Sequence, residues 1–336
     1  MIPAIVTAGD GSAAKAVHGQ NKVFLELGGR PLVAHVVAVL QQVPEVSEVW
    51  IVGNAERLGE VFDRPEIRST LTKPLHIVPQ LRHLWENCWQ AYRLTLPGAP
   101  PEGRDPESEA DFEHQALYLS GDLPFATPQE ISAFIQRSWQ ADCDYALGLV
   151  TAASLEDFLP ESAGAPGIEV AYFNLKEDRY RQSNLHLVKP GRLENRHYIE
   201  EMYQHRHQRE IGNMLALAWR LLMSRQGGLT ILFFYLLMHV AGVLDRWHWS
   251  GIADRLRAVI FMERVEATVG RLLGTGFRFI TTEAGGCAID IDTDEEYDAS
   301  RECFESWTAR QRERAEALYG PPALPADAGA DSREEA

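Results

Sequence analysis

Three acidic residues and one lysine are the groups in this sequence best placed to carry out chemistry. Asp122 directly follows the apolar run 116–120 and lies in a Ser-Gly-Asp-Leu-Pro segment. Asp290 and Asp292 alternate along an extended segment, so a period of two places both on one face. Two carboxylates on one face repel each other unless a cation or a hydrogen-bond donor offsets their charge. Lys22 follows a small-residue turn and can supply mobile positive charge to a triphosphate.

Asp122 is the strongest candidate for a magnesium ligand. Mg²⁺ prefers one or two carboxylates together with phosphate oxygens and water. In an α/β sheet the ligand crevice opens where the strands end, which is where this aspartate lies. The structural alternative is a turn aspartate. For the pair near the C-terminus, the alternative is that Asp292 or Thr293 only caps the helix that begins near residue 294.

The N-terminal motif is the most informative continuous stretch. A buried strand over 2–6 runs into Thr-Ala-Gly-Asp-Gly-Ser at 7–12, followed by Asn21-Lys22 and then by Gly29-Arg30-Pro31-Leu32. Glycine lets a backbone approach a phosphate without a Cβ in the way, and successive N–H groups can then bind it. This order resembles the MobA-like nucleotidyltransferases, which have a glycosyltransferase-A-like fold. The chain departs from that pattern at two points. Asp10 stands where the family often has a second glycine, and the usual basic residue is missing, so that Lys15 would have to take its place.

The resemblance assigns roles to residues at both ends of the expected crevice. It implies that Lys22 and Asp122 are catalytic, and that Asp122 and Asp292 hold Mg²⁺. The phosphate loop would consist of Ala8, Gly9, Gly11 and Ser12. Gln80 and Asn87 fall where relatives place groups that contact the base or ribose, although amides there can also be helix caps. The segment 182–190 resembles the family's Gly-Asn-Leu-x-Leu-x-x-Pro, so Asn184 and the nearby Arg181 would bind the acceptor.

The pattern of elements predicts an α/β fold with a doubly wound, mostly parallel sheet. Apolar runs at 46–52, 75–78, 116–120 and 277–281 read as strands, and helical periodicity separates them. Shorter strands at 145–150, 169–175 and 185–188 predict an antiparallel extension on the acceptor side. We expect a nucleotidyltransferase core over 1–194, a helical insert over 195–274, a last strand and helix over 275–319, and a disordered tail over 320–336.

The insert is apolar nearly all round over 214–223 and 229–244. The second run is short of the ~20 residues that span a bilayer. A buried hairpin, a peripheral membrane contact and a homodimer interface through 214–249 remain as alternatives. The N-terminus lacks a signal segment, so we expect a cytoplasmic protein, with membrane association as the alternative.

The net charge of the chain excludes one class of binding partner. The net charge of −16 argues against binding to nucleic acid, whose phosphates would repel the chain. Part of the acidity lies in 98–113 and in the tail after Tyr319, which read as solvated, poorly ordered segments. The sequence therefore predicts a Mg²⁺-dependent nucleotidyltransferase, with an NTP and a phosphorylated small molecule as its substrates. The alternatives are a glycosyltransferase on the same fold and a catalytically weak nucleotide-binding or partner-binding protein.

Overall fold

The computed structural model describes residues 1–9, 16–162, 164–195 and 260–322. Its strands, in chain order, are β1 (Ile2–Ala8), β2 (Ala16–Val17), β3 (Gln20–Asn21), β4 (Glu26–Leu27), β5 (Arg30–Pro31), β6 (Val46–Gly53), β7 (Leu75–Pro79), β8 (Ala116–Ser120), β9 (Tyr145–Thr151), β10 (Phe173–Asn174), β11 (Arg179–Val188) and β12 (Phe277–Thr282). Its helices are α1 (Leu32–Leu40), α2 (Ala55–Phe62), α3 (Pro65–Arg68), α4 (Leu84–Thr95), α5 (Glu109–Glu113), α6 (Pro128–Gln140), α7 (Met262–Leu273) and α8 (Asp294–Tyr319).

The large sheet confirms the predicted α/β architecture. Its strand order is β12-β9-β11-β8-β1-β6-β7, and β10 pairs with β11. The pairs β7–β6, β6–β1, β1–β8 and β9–β12 are parallel. Only β11 runs against both of its long neighbours, β8 and β9, which is the predicted antiparallel extension. The carboxyl ends of β1, β8 and β12 therefore lie at one edge of the sheet.

Two helix layers explain why the central strands are apolar without alternation. Ala4 and Val6 of β1 face one core layer, which includes side chains of α1 and α6. The intervening Ile5 faces the other layer, where it packs with Ala91 and Tyr92 of α4. A strand covered on both faces must be apolar at every position.

The acidic segment 98–113 is ordered, so the prediction of a poorly ordered loop is wrong. The Arg104 guanidinium binds both carboxylate oxygens of Asp111, at 2.6 and 2.8 Å. Ser108 and Asp111 also form a capping box that starts α5. Composition alone suggested a solvated segment because it counts charges without showing that one of them is buried and paired.

The predicted strand at 169–175 is also shorter than expected, because only Phe173 and Asn174 pair with β11. Upstream of it, the Ile168 N–H donates to the Phe158 carbonyl at 2.7 Å, so the chain folds back onto the 3-10 turn Ala152–Phe158 instead of joining the sheet.

The insert is described only at its C-terminal end. There α7 packs beside β12, where Glu266 accepts the Phe279 N–H at 2.8 Å. The apolar runs within 214–249 lie outside the described residues, as does most of the tail predicted to be disordered. In the described part of the chain, no helix is long and apolar enough to cross a membrane.

We expect Asp111→Asn to lower the melting temperature by about 2–5 °C at pH 7. The Arg104 guanidinium and the Glu107 and Ser108 N–H groups hold the pKa of Asp111 well below its usual 3.8. The paired carboxylate therefore stabilises the fold fully above pH ~4, and this contribution is lost as the pH falls below that value. Thermal denaturation at pH 7 and pH 3 should show a deficit that shrinks in acid.

Asp105→Asn is the matched control for that measurement, because Asp105 pairs with Arg93 but is 67 % exposed. It should leave the melting temperature within about 1 °C of wild type at both pH values. A deficit for Asp111→Asn that is equally large at pH 3 would contradict the role given to the charged pair.

Candidate functional site

Lys22 is held at the sheet edge by the residue that precedes it. Asn21 ends β3 and caps the short 3-10 turn Lys22–Phe24, because its Oδ1 accepts the Val23 N–H at 3.1 Å. Its Nδ2 donates to the Gly9 carbonyl at 3.3 Å, just beyond the end of β1. In the Asn-Lys pair noted in the sequence, the asparagine therefore fixes the backbone position from which the Lys22 side chain extends.

The Lys22 ammonium bridges Asp122 and Asp292 through direct contacts to one oxygen of each carboxylate. Asp122 is fully buried, and the Ser120 hydroxyl donates to its other oxygen. Gly121 donates its N–H to the Thr7 carbonyl at 2.9 Å, which ties the turn carrying Asp122 to β1. The two aspartates expected to bind metal and the lysine expected to bind phosphate thus meet at one point.

Asp290 completes the cluster, and Arg181 is its cation. One carboxylate oxygen from each of Asp122, Asp290 and Asp292 lies within 4.8 Å of the other two. Arg181 donates from Nη2 to Asp290 at 3.0 Å and from Nε to the Ala288 carbonyl at 2.8 Å. Three carboxylates thus face two cations within the residues that the structure describes.

The electrostatics of the cluster favour an additional cation. Burial raises the pKa of Asp290, and repulsion from Asp122 and Asp292 raises it further against the opposing effect of Arg181 and Lys22. Burial lowers the pKa of Lys22, but attraction to the two carboxylates outweighs it and leaves the pKa above its usual value. A divalent cation among these oxygens would relieve the repulsion, and oxygen ligands are those that Mg²⁺ prefers. The donor set therefore fits Mg²⁺.

The helix-capping alternative holds for Thr293 and is compatible with a role for Asp292. Thr293 caps α8, because its Oγ1 accepts the Glu296 N–H at 3.2 Å. The Glu296 carboxylate in return accepts the N–H groups of Asp292 at 2.7 Å and Thr293 at 3.0 Å. The capping box thus binds the backbone of Asp292 and leaves its side chain in the cluster.

The nucleotide side of the predicted site is described in part. A Cβ on Gly9 would lie 3.4 Å from Gln80 Oε1, so Gln80 borders the end of β1 next to Ala8. Asn87 accepts the Leu81 N–H at 2.5 Å and so holds the loop that follows β7. Gly11 and Ser12 lie outside the described residues, together with Asp10 and Lys15.

The two predicted acceptor residues occupy different positions on β11. Arg181 reaches the carboxylate cluster. Asn184 lies three residues further along, half-buried, in the stretch between Gln182 and His186 where the pairing with β9 shifts register. The structure therefore brings Arg181 to the metal-binding candidates and places Asn184 on the strand that supports it.

Sequence reasoning gave too little weight to Asp290 and missed Glu130. Asp290 was part of the alternating pair, but it stayed outside the expected metal ligands because the family resemblance emphasises Asp292. Glu130 occupies the third position of a helix that starts Thr127-Pro128, where an acidic side chain normally completes a cap. No local pattern reveals that it reaches a distant loop.

Comparison with known proteins shows what the N-terminal part of the site resembles. Residues 4–152, which make up less than half of the chain, match the family model of the MobA-like NTP transferase domain. Lys22 and Asp122 lie within the matched residues, whereas Arg181 and the Asp290–Asp292 pair come from the part of the chain that follows them.

Two curated relatives each match about two fifths of the chain. Both are named 2-C-methyl-D-erythritol 4-phosphate cytidylyltransferase. The protein from Chlorobium luteolum is 24% identical over 137 residues, which cover 41% of this chain and 54% of the relative. The protein from Halalkalibacterium halodurans is 43% identical over 136 residues, covering 39% and 50%. The chain spans about half the length of the curated relatives it matches.

A solved structure supports the fold over a larger share of the chain. A hypothetical transferase from Thermus thermophilus aligns with a TM-score of 0.53 and 20% identity, covering 88% of this chain and 98% of that one. At this identity the likeness concerns the fold alone.

We expect Lys22→Met to lower the free energy of unfolding by on the order of 3 kcal/mol, because it removes the cation between two carboxylates and leaves their charges uncompensated. Urea denaturation of metal-free protein measures this. Lys22→Arg, which keeps the charge, should lose clearly less. If the methionine variant proves as stable as wild type, the ammonium is not what holds these carboxylates together.

Proposed function

We propose that this protein is a Mg²⁺-dependent nucleotidyltransferase that transfers a nucleoside monophosphate from an NTP to a phosphorylated small molecule. An oxygen of the acceptor phosphate attacks the α-phosphorus and forms the new P–O–P bond. The bond from the α-phosphorus to its bridging oxygen breaks, and pyrophosphate leaves with the electron pair. The acceptor oxygen is already anionic, so the reaction needs positioning and charge neutralisation rather than a general base.

One observation carries the proposal: Lys22 bridges Asp122 and Asp292 at the carboxyl edge of a mostly parallel sheet. A surface lysine would not be placed between a fully buried carboxylate and a second acidic residue from the other end of the chain. Such a concentration of charge is costly for folding and is typical of sites that bind charged ligands. The match of residues 4–152 to the MobA-like NTP transferase domain supports a nucleotide as that ligand.

Asp122 and Asp292 would hold Mg²⁺, with Asp290 beside them. When bound, the ion would neutralise negative charge on the phosphates that surround the reacting phosphorus. The buried position of Asp122 keeps its carboxylate in one orientation, since Ser120 and Lys22 fix one oxygen each.

Lys22 would exchange its partners during binding. In the structure its ammonium neutralises two carboxylates, and a flexible four-carbon stem lets the head group move a short distance without loss of charge. Once a divalent cation compensates Asp122 and Asp292, the ammonium becomes available to phosphate oxygens of the NTP. There it would stabilise the charge that develops on the leaving pyrophosphate.

Arg181 would orient the acceptor phosphate. Its bonds to Asp290 and the Ala288 carbonyl use two of the five N–H donors of a guanidinium, so a planar array of donors remains for a phosphate. Asp290 fixes the guanidinium at the cluster, which places these donors next to the expected metal ligands.

The names of the two curated relatives suggest the first substrates to test. Both name a cytidylyl group as what is transferred and a phosphorylated C-methyl tetritol as the acceptor. We therefore propose CTP as the first nucleotide and phosphorylated polyols as the first acceptors. The matches cover only about two fifths of this chain, so the assay should include the other three NTPs and a pool of sugar phosphates.

Pyrophosphate release is the decisive test. We expect release that depends on one NTP, one acceptor and Mg²⁺, and that falls by at least about 100-fold in Asp122→Asn because an essential charge at the reacting phosphates is lost. Asp63→Asn is the control, since Asp63 is a 77 % exposed partner of Arg68. Absence of release with every NTP, together with no stabilisation by any nucleotide, would favour a partner-binding protein on this fold.

The proposed move of Lys22 from the carboxylates to the NTP phosphates can be tested by metal binding. Lys22→Met should bind Mn²⁺ in the absence of nucleotide about 10-fold more tightly than wild type, because the metal no longer competes with an ammonium. The same variant should bind the NTP more weakly, since the phosphates lose a cation. Isothermal titration calorimetry gives both affinities. Equal Mn²⁺ affinity in the two proteins would show that Lys22 does not compete with the metal.

A further inference from the structure

Glu130 is a fully buried carboxylate outside the cluster that binds the loop leading to Asp290 and Asp292. It lies at the third position of α6, and its Oε1 accepts the Thr282 hydroxyl at 2.8 Å and the Gly285 N–H at 3.0 Å. Its Oε2 accepts the Cys287 N–H at 3.1 Å. A glutamate at this position usually turns back to its own helix cap, whereas this one spans the gap to the end of β12.

Three hydrogen bonds from one loop therefore hold the Glu130 carboxylate in place. Glu130 lies in the first turn of α6, where the positive end of the helix dipole favours an acidic side chain. Burial, together with the Glu130 charge, raises the pKa of the Cys287 thiol well above its usual value, so the thiol stays protonated and donates to Glu130. Charge-assisted hydrogen bonds of this kind are stronger than neutral ones.

The loop that Glu130 binds also packs closely against the segment that carries Asp122. A Cβ on Gly286 would overlap the carbonyl oxygen of Phe125, which follows Asp122 by three residues. A Cβ on Gly285 would overlap the Ser154 carbonyl, and the φ of +98° at Gly285 is one that L side chains rarely adopt. The backbone at Gly286 therefore lies directly against the segment that carries Asp122, and the backbone at Gly285 lies against the 3-10 turn Ala152–Phe158.

These contacts link the two halves of the carboxylate cluster. Asp122 lies just before α6, and Asp290 lies just after the loop that Glu130 binds. We infer that Glu130 is a positioning residue that sets the spacing between Asp122 and the Asp290–Asp292 pair, and thereby the affinity of the site for a divalent cation. This inference rests on the proposed function, because it takes the carboxylate cluster to be the metal site.

Mn²⁺ binding by Glu130→Gln in the full-length protein tests the inference. The glutamine keeps the shape but replaces one acceptor oxygen by an NH₂ group that faces N–H donors. We expect the Mn²⁺ affinity in the presence of CTP to fall by about 10-fold or more, as is usual when a partner behind the metal ligands is lost. Nucleotide affinity in EDTA should stay within about 2-fold, a split that general loosening of the fold would not produce.

Glu283→Gln is the matched control, because Glu283 lies in the same loop but is 43 % exposed and pairs with Arg137 and Tyr319 instead. It should leave the Mn²⁺ affinity unchanged. If Glu130→Gln fails to fold, Thr282→Val removes one donor while keeping the carboxylate, and should weaken Mn²⁺ binding in the same direction by a smaller factor. Electron paramagnetic resonance of free Mn²⁺ measures all these affinities.

The outcomes separate failure of this inference from failure of the proposed function. A folded Glu130→Gln whose Mn²⁺ affinity matches wild type would overturn the positioning role and leave the nucleotidyltransferase proposal intact. Absence of Mn²⁺ binding by wild type with every NTP would overturn both. Weaker Mn²⁺ binding in both Glu130→Gln and Glu283→Gln would also overturn the specific role, since it would point to the loop as a whole.

Discussion

The repulsion among three carboxylates is the constraint on which the rest of the site depends. Asp122, Asp290 and Asp292 approach one another within 4.8 Å, and one of them is fully buried. Like charges at this separation raise each other's pKa unless cations lie among them. Lys22 supplies that positive charge from the 3-10 turn after β3, and Arg181 supplies it from β11. The cluster forms only because the parallel β1, β8 and β12 end at one edge.

Such a cluster also needs a rigid backbone around it, because carboxylates that repel each other move apart wherever the backbone is flexible. Hydrogen bonds to the backbone beside the aspartates provide this rigidity. The capping box of α8 fixes the Asp292 backbone, and the Gly121 N–H ties the Asp122 turn to β1. Buried hydrogen bonds are strong in a low-dielectric environment, so such contacts resist local charge repulsion. The hydrogen bonds of the surrounding elements thus offset the stability that is lost when the three carboxylates are brought together.

Much of this arrangement could be predicted from the sequence because the informative signals are local. Apolar runs of four to seven residues indicated the strands, and Ser-Gly-Asp-Leu-Pro indicated Asp122 at a strand end. What local patterns lack is pairing between distant segments. The 98–113 segment was predicted to be disordered because the Arg104–Asp111 pair is invisible to composition. Glu130 was missed for the same reason, since its partners Thr282 and Gly285 lie 152 and 155 residues further along the chain.

The residues between β11 and α7 separate the two parts of the site in sequence but not in space. Asn195 binds the carbonyls of Leu272 and Leu273 at the end of α7, and the Ile260 carbonyl accepts the Lys176 N–H at 2.9 Å. The described residues on either side of 196–259 are therefore held by hydrogen bonds, Asn195 to the end of α7 and Ile260 to the segment that precedes β11. All five charged residues of the cluster belong to the described part. The described residues on the two sides of 196–259 thus come together in one carboxylate cluster.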